Sequence, residues 1–142
     1  MKKLLLTACF LAVAGFAHAD PLEDREALMK SFGRSMGELA PYAKGEKAFD
    51  AAAVQAALAT LDENAKKFDA AALFPESAGT GESGSPNIWT NWADFEARAE
   101  KLKVDVAAAA ATPPADVAAL QATMGAIGSN CGGCHENFRV KK

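Results

Sequence analysis

Two cysteines three positions apart, Cys131 and Cys134, are followed at once by a histidine, His135, and the gap between them holds Gly132 and Gly133. Cys-x-x-Cys-His is the spacing of covalent c-type haem attachment. Helix geometry explains it. Positions i and i+3 share a face, so both thiols reach the two vinyl groups along one porphyrin edge. His135, four residues after Cys131, shares that face and can place an imidazole nitrogen on the iron. The intervening glycines leave room for the ring to lie close to the backbone.

The N-terminus decides which other ligands remain. Met1-Lys2-Lys3 is a short basic region, Leu4 to Phe16 an apolar run, and Ala17-His18-Ala19 a small-x-small cleavage site before Asp20. Together they read as a secretory signal peptide over residues 1–19, too short to span a membrane. Leu6-Thr7-Ala8-Cys9 also resembles a lipobox, but cleavage there would leave only Leu4 to Ala8 as the apolar core. Cleavage after Ala19 removes Cys9 and His18. The mature domain, residues 20–142, then keeps two cysteines and one histidine, all in the motif. A zinc site would need a fourth ligand. A thioredoxin-type dithiol would need a preceding strand, and a disulfide would leave His135 without a role. The expected cofactor is one covalently attached haem c, and a single imidazole excludes bis-histidine ligation. An exported c-type motif behind a bacterial-style signal points to the periplasm.

Removal of Lys2 and Lys3 takes the formal charge from −3 to −5, which argues against nucleic acid and anionic membrane surfaces as partners. The length after cleavage is that of one domain.

The elements that must position the motif are helical; strand-type alternation is absent. Leu28, Phe32, Met36 and Leu39 form an apolar stripe from about Pro21 to Leu39, which Pro41 and Gly45 are expected to end. Asp50 is an N-cap for a second helix with the seam Val54, Leu58, Leu61, Ala65 and Phe68. Phe74 to Asn87, rich in Gly, Ser and Pro, reads as a long surface loop. Ser85 and Pro86 then mark the start of a third helix, whose seam runs Ile88, Trp92, Phe95, Ala99, Leu102, Val106 and Ala109. Thr112-Pro113-Pro114 turns the chain into a fourth helix with Val117, Leu120, Met124, Ile127, Cys131, Cys134 and Phe138 on one seam. Both thiols therefore fall where core side chains belong. The fold class is all-α, an antiparallel four-helix bundle with the haem inside it.

A C-x-x-C-H motif close to the C-terminus of a four-helix bundle, followed by Phe138-Arg139, resembles the class II cytochromes c, the cytochrome c′ family. The first helix fits as well: Arg25 stands four residues before Met29, with Gly33, Met36-Gly37 and the Pro41 to Gly45 turn beyond. Phe74-Pro75 before the long loop also matches. The resemblance covers the whole mature chain. It implies thioether attachment at Cys131 and Cys134, proximal ligation by His135, Arg25 near a haem propionate, and Arg139 as the basic residue beside the proximal histidine. One helical turn beyond His135, Arg139 is placed to neutralise a propionate or cover the imidazole.

Met29 decides the function. A thioether opposite the histidine makes the iron six-coordinate and low-spin, a one-electron carrier serving periplasmic redox partners. A Met29 that only packs against the ring leaves a five-coordinate iron with an apolar distal pocket, open to NO or CO. The Met29 to Gly33 run resembles the low-spin members. Met36, two turns further on and displaced by about 10 Å, lies past the ring. Nothing reads as an enzyme: no spare histidine, no partnered nucleophile and no phosphate-cradling loop. Asp94, Glu96, Glu100 and Asp105 read as a solvated face, and Trp89 and Trp92 as bundle aromatics. Helical pairing in related proteins suggests a homodimer through the first two helices.

Overall fold

The computed structural model describes residues 20–140. The expected signal peptide, residues 1–19, and the last two lysines lie outside them. Four long helices make the frame: α1 (Pro21–Ala43), α2 (Ala51–Lys66), α5 (Trp92–Ala111) and α6 (Val117–Phe138). Two one-turn helices, α3 (Ala70–Leu73) and α4 (Asn87–Thr90), and a 3-10 turn, Glu76–Ala78, punctuate the connection between α2 and α5. The long helices close a ring in which α1 packs on α2, α2 on α5, α5 on α6, and α6 back on α1. Among the described residues the only β pairing is an isolated bridge between Gly84 and Arg139. This is the expected antiparallel four-helix bundle.

Aspartates start four of these helices by occupying otherwise unpaired first-turn N–H groups. Asp20, Asp50, Asp69 and Asp116 accept from the amides of Leu22, Ala53, Ala72 and Ala119 at 2.9, 3.0, 3.0 and 2.8 Å. The expected seams are the buried ones. Leu39, Val54, Leu58, Val106 and Leu120 are fully excluded from solvent and fill the end of the bundle away from the motif. At the other end the core is aromatic. Phe74 and Phe95 meet edge-on at 4.8 Å between ring centres, and Phe95 meets Phe138 of α6 at 5.2 Å. Offset and edge-to-face contacts of this kind add to what burial alone provides.

Two boundaries differ from the sequence expectation. Helix α1 runs through Pro41 to Ala43 instead of stopping before the proline. Proline costs a helix its own N–H bond and crowds the carbonyl four residues back. That residue is Gly37, exposed and without a side chain, and the helix is already in its last turn. The stop comes at Gly45, in the left-handed region at φ 72°, where glycine carries no steric penalty. The third expected helix is broken in two at Asn91, whose φ of −127° and ψ of 44° are not helical. The turn before the break, α4, is started by the Ser85 hydroxyl, which accepts from the Asn87 amide at 3.2 Å. Its Trp89 indole N–H donates to the Phe74 carbonyl at 3.0 Å, so α4 follows the loop and not the axis of α5.

Candidate haem site

The motif lies in the penultimate turn and a half of α6, inside continuous helix. Cys131 and Cys134 are half-buried and pack against the core, next along the seam from Ile127. Burial pushes both thiols above the ordinary range, and Arg98 on α5 offsets part of the shift at Cys134. His135, four residues beyond Cys131 on the same helix, is exposed. Desolvation lowers its pKa, and the positive charge of Arg139 adds to the shift, so the imidazole is kept neutral, the form that ligates metal.

The facing wall is α1, and its register with α6 follows from one hydrogen bond. The Gln121 side chain donates to the Ala43 carbonyl at 2.7 Å, joining the start of α6 to the end of α1. From Ala43 back to Met29 is 14 residues, and from Gln121 on to His135 is also 14. At about 1.5 Å per residue both lie roughly 21 Å from the pin. In an antiparallel pair they therefore share one level. Met36, by the same count, is level with Gly128, about 10 Å away from that plane. Met29 and Met36 are half-buried against the core. Gly33 follows Met29 by one turn, and Gly128 and Gly132 share the His135 flank. A Cβ at any of the three would meet no atom within 4 Å.

Arg25, one turn before Met29, is only 7 % exposed. Its Nε donates to the Leu73 carbonyl and its Nη1 to the Gly79 carbonyl at 2.9 Å, while the guanidinium lies 4.4 Å from the centre of the Phe74 ring. Burial lowers its pKa, and Asp20 partly offsets the shift. Its Nη2 is buried with no hydrogen-bond partner among the described residues. A buried guanidinium nitrogen without an acceptor is costly, and a carboxylate is its natural complement. A haem fits these residues: two thiols on one helix face, a neutral imidazole beside them, glycines that leave room for a flat ring, and an orphan donor for a propionate.

Arg139 is not where the helical spacing put it. It follows the last residue of α6 with φ −118° and ψ 138°, extended and exposed, although its amide still donates to the His135 carbonyl at 3.2 Å. The chain leaves the helix there to pair with the loop at Gly84. Asp105 also differs from expectation. It is half-buried and accepts from Lys101 at 2.5 Å and from Asn130 of α6 at 2.6 Å, so it ties α5 to the haem helix. Trp92 packs on Phe95 at 5.7 Å and is a bundle aromatic, as expected. Neither the Gln121 pin nor the Asp105 tie has a signature in the sequence. Both are single polar side chains whose partners lie far along the chain.

Among the described residues, no group of three or more His, Cys, Asp or Glu is gathered to hold a further metal ion, and no helix is long and apolar enough to cross a membrane.

Comparison with known proteins supplies the family. The family model described as cytochrome C′ matches residues 20–139. The chain is 46 % identical over 138 residues to a cytochrome c-556 of Agrobacterium fabrum, covering 97 % of this chain and 92 % of that one. It is 36 % identical over 148 residues to a cytochrome c′ of Rhodopseudomonas palustris, covering 100 % and 99 %. The solved cytochrome c′ structure from Rhodopseudomonas palustris superposes with a TM-score of 0.77 at 35 % identity, over 88 % of this chain and 99 % of that one. With the motif, the bundle and the relatives in agreement over nearly its whole length, the chain belongs to the cytochrome c′ family, the class II cytochromes c, and carries covalently attached haem c.

Proposed function

We propose that this protein is a periplasmic carrier of single electrons, with His135 as the proximal and Met29 as the distal ligand of its haem iron. The observation that carries this reading is the common level of Met29 and His135 on facing antiparallel helices, 14 residues from the Gln121–Ala43 hydrogen bond on either side. The haem supplies a reversible one-electron couple. Cys131 and Cys134 hold its edge, and the neutral imidazole of His135 donates to the metal. A thioether opposite raises the reduction potential. Arg25, through the Nη2 that no group among the described residues uses, pairs with a propionate. Arg139, exposed just past the end of α6, supplies positive charge beside the proximal histidine. Residues 1–19 act as the export signal that delivers the chain to the compartment where its redox partners reside. The outward faces of α1 and α2 join two copies in a homodimer.

One observation favours a second reading: Met29 already packs against the core cluster. A methionine committed to packing would leave the iron five-coordinate, with an apolar distal face that takes NO or CO and disfavours anions. Names of both kinds, c-556 and c′, occur among the relatives. The experiment is a ferric and a ferrous absorption spectrum with and without CO, on wild type and Met29→Ala. The carrier reading requires a low-spin ferric spectrum with a methionine–iron charge-transfer band that Met29→Ala abolishes. A high-spin wild-type spectrum with ready CO uptake would replace it with the gas-binding reading.

A further inference from the structure

An α-helix leaves its last four carbonyls without intrahelical partners, and many helices close them with a left-handed glycine or asparagine just past the end. Helix α6 does neither. The residue after its last turn, Arg139, is extended, and two of the helix's last four carbonyls, those of Asn137 and Phe138, are closed by a different segment. The Ser85 amide donates to the Phe138 carbonyl at 3.0 Å, and the Asn87 side chain donates to the Asn137 carbonyl at 3.3 Å. The Val140 amide returns a bond to the Ser83 carbonyl at 2.9 Å. The His135 carbonyl is closed from within, by the Arg139 amide. The turn that bears His135 is thus capped in trans by residues about 50 positions earlier.

The same loop is anchored at its other end to α1. The Gly79 carbonyl accepts from Arg25, and a side chain on Gly81 would come within 3.0 Å of Leu22. Residues 79–87 therefore span from the first turns of α1, one turn before Met29, to the last turn of α6. Within the loop, a turn from Thr80 to Gly84 is closed by a 3.1 Å bond from the Gly84 amide to the Thr80 carbonyl. A Cβ at position 84 would lie 2.5 Å from that same carbonyl oxygen. The obstruction is backbone, which cannot swing aside as a side chain would.

We propose that the 79–87 loop is a buttress that fixes the orientation of the His135 turn relative to α1, and that Gly84 and Asn87 are positioning residues for the proximal ligand. Gly84 lets the turn close tightly enough for Ser83 and Ser85 to reach the end of α6, and Asn87 closes the Asn137 carbonyl. The inference rests on His135 as the proximal ligand.

The test uses haem-loaded protein with Gly84→Ala and Asn87→Ala. The readouts are the hydrogen-exchange rates of the Ser85 and Val140 amides, the paramagnetically shifted ring signals of His135 in the ferric protein, and the reduction potential. The expected result for Gly84→Ala is several-fold faster exchange at both amides with displaced His135 ring signals and a changed potential, while haem attachment and helix content are retained. Asn87→Ala is expected to move the ring signals in the same direction by less, and it carries the test alone should Gly84→Ala yield no holoprotein. Faster amide exchange with unmoved ring signals and potential would overturn the buttress role, as would unchanged exchange in Gly84→Ala. A His135→Gly arm separates the two levels of the argument. A spectrum that survives this substitution unchanged removes the proximal assignment itself, whereas loss of the proximal ligand signature leaves the loop variants to decide.

Discussion

Replacing Arg25 by methionine removes a buried cation while keeping an unbranched apolar side chain in its place. Two hydrogen bonds from the charged guanidinium are lost, to the carbonyls of Leu73 and Gly79, along with the contact over the Phe74 ring at 4.4 Å. Hydrogen bonds to a charged group contribute about 1.5–3 kcal/mol each. The pair therefore represents roughly 3–6 kcal/mol before any offset. Recovery of the guanidinium's desolvation penalty and rehydration of the part-buried Gly79 carbonyl offset some of this, leaving a net loss of about 3 kcal/mol. With a urea m-value of about 1–3 kcal/mol/M for a domain of this size, the midpoint should fall by about 1–3 M. The assay is urea denaturation of the haem-loaded protein followed by circular dichroism, with the reduction potential measured alongside. Removing a positive charge near the haem favours the ferric state, so the potential should fall. Arg25→Lys keeps the charge but lacks the planar fork that reaches two carbonyls at once, and should recover the potential better than the stability. A methionine variant with the wild-type midpoint would refute the claim that Arg25 holds the loop to α1. An unchanged potential would refute its pairing with a propionate.

Three further outcomes follow from the same geometry. Asp105→Ala should cost about 1 kcal/mol through its bond to Asn130, and a double-mutant cycle with Asn130→Ala should show the two losses to be less than additive. Lys101 and Asn130 lower the pKa of Asp105 below its ordinary 3.8. Its contribution is therefore complete above the unfolded value near 3.8 and is lost as pH falls through the lower folded value, so the cycle should flatten only in strongly acid solution. Gln121→Ala should destabilise by about 1 kcal/mol, lowering the melting temperature by about 3–6 °C, because it strands the buried Ala43 residue's carbonyl. Sedimentation at micromolar concentration should show a dimer, and a purely monomeric profile would remove the α1–α2 interface from the account.

Much of this protein can be read locally, because local periodicity encodes which residues share a helix face. The spacing of Cys131, Cys134 and His135 names the cofactor. The stripes through Leu28 and Phe32, Val54 and Leu58, Phe95 and Ala99, and Leu120 and Ile127 assign the four inner faces correctly. Boundaries were less legible. Pro41 is tolerated because it falls in the last turn of α1, and the break at Asn91 is imposed by the path of the loop, so neither follows from propensity. Contacts between elements were decided by the tertiary structure alone. That Met29 lies level with His135 depends on a hydrogen bond between residues 78 apart in sequence. That Arg25 closes the Leu73 and Gly79 carbonyls, and that Arg139 leaves the helix to pair with Gly84, depends on where a glycine-rich loop comes to rest. A helical repeat specifies a direction around its own axis. It carries no information about the height at which one axis lies against another, and in this bundle that height is set by the Gln121–Ala43 hydrogen bond.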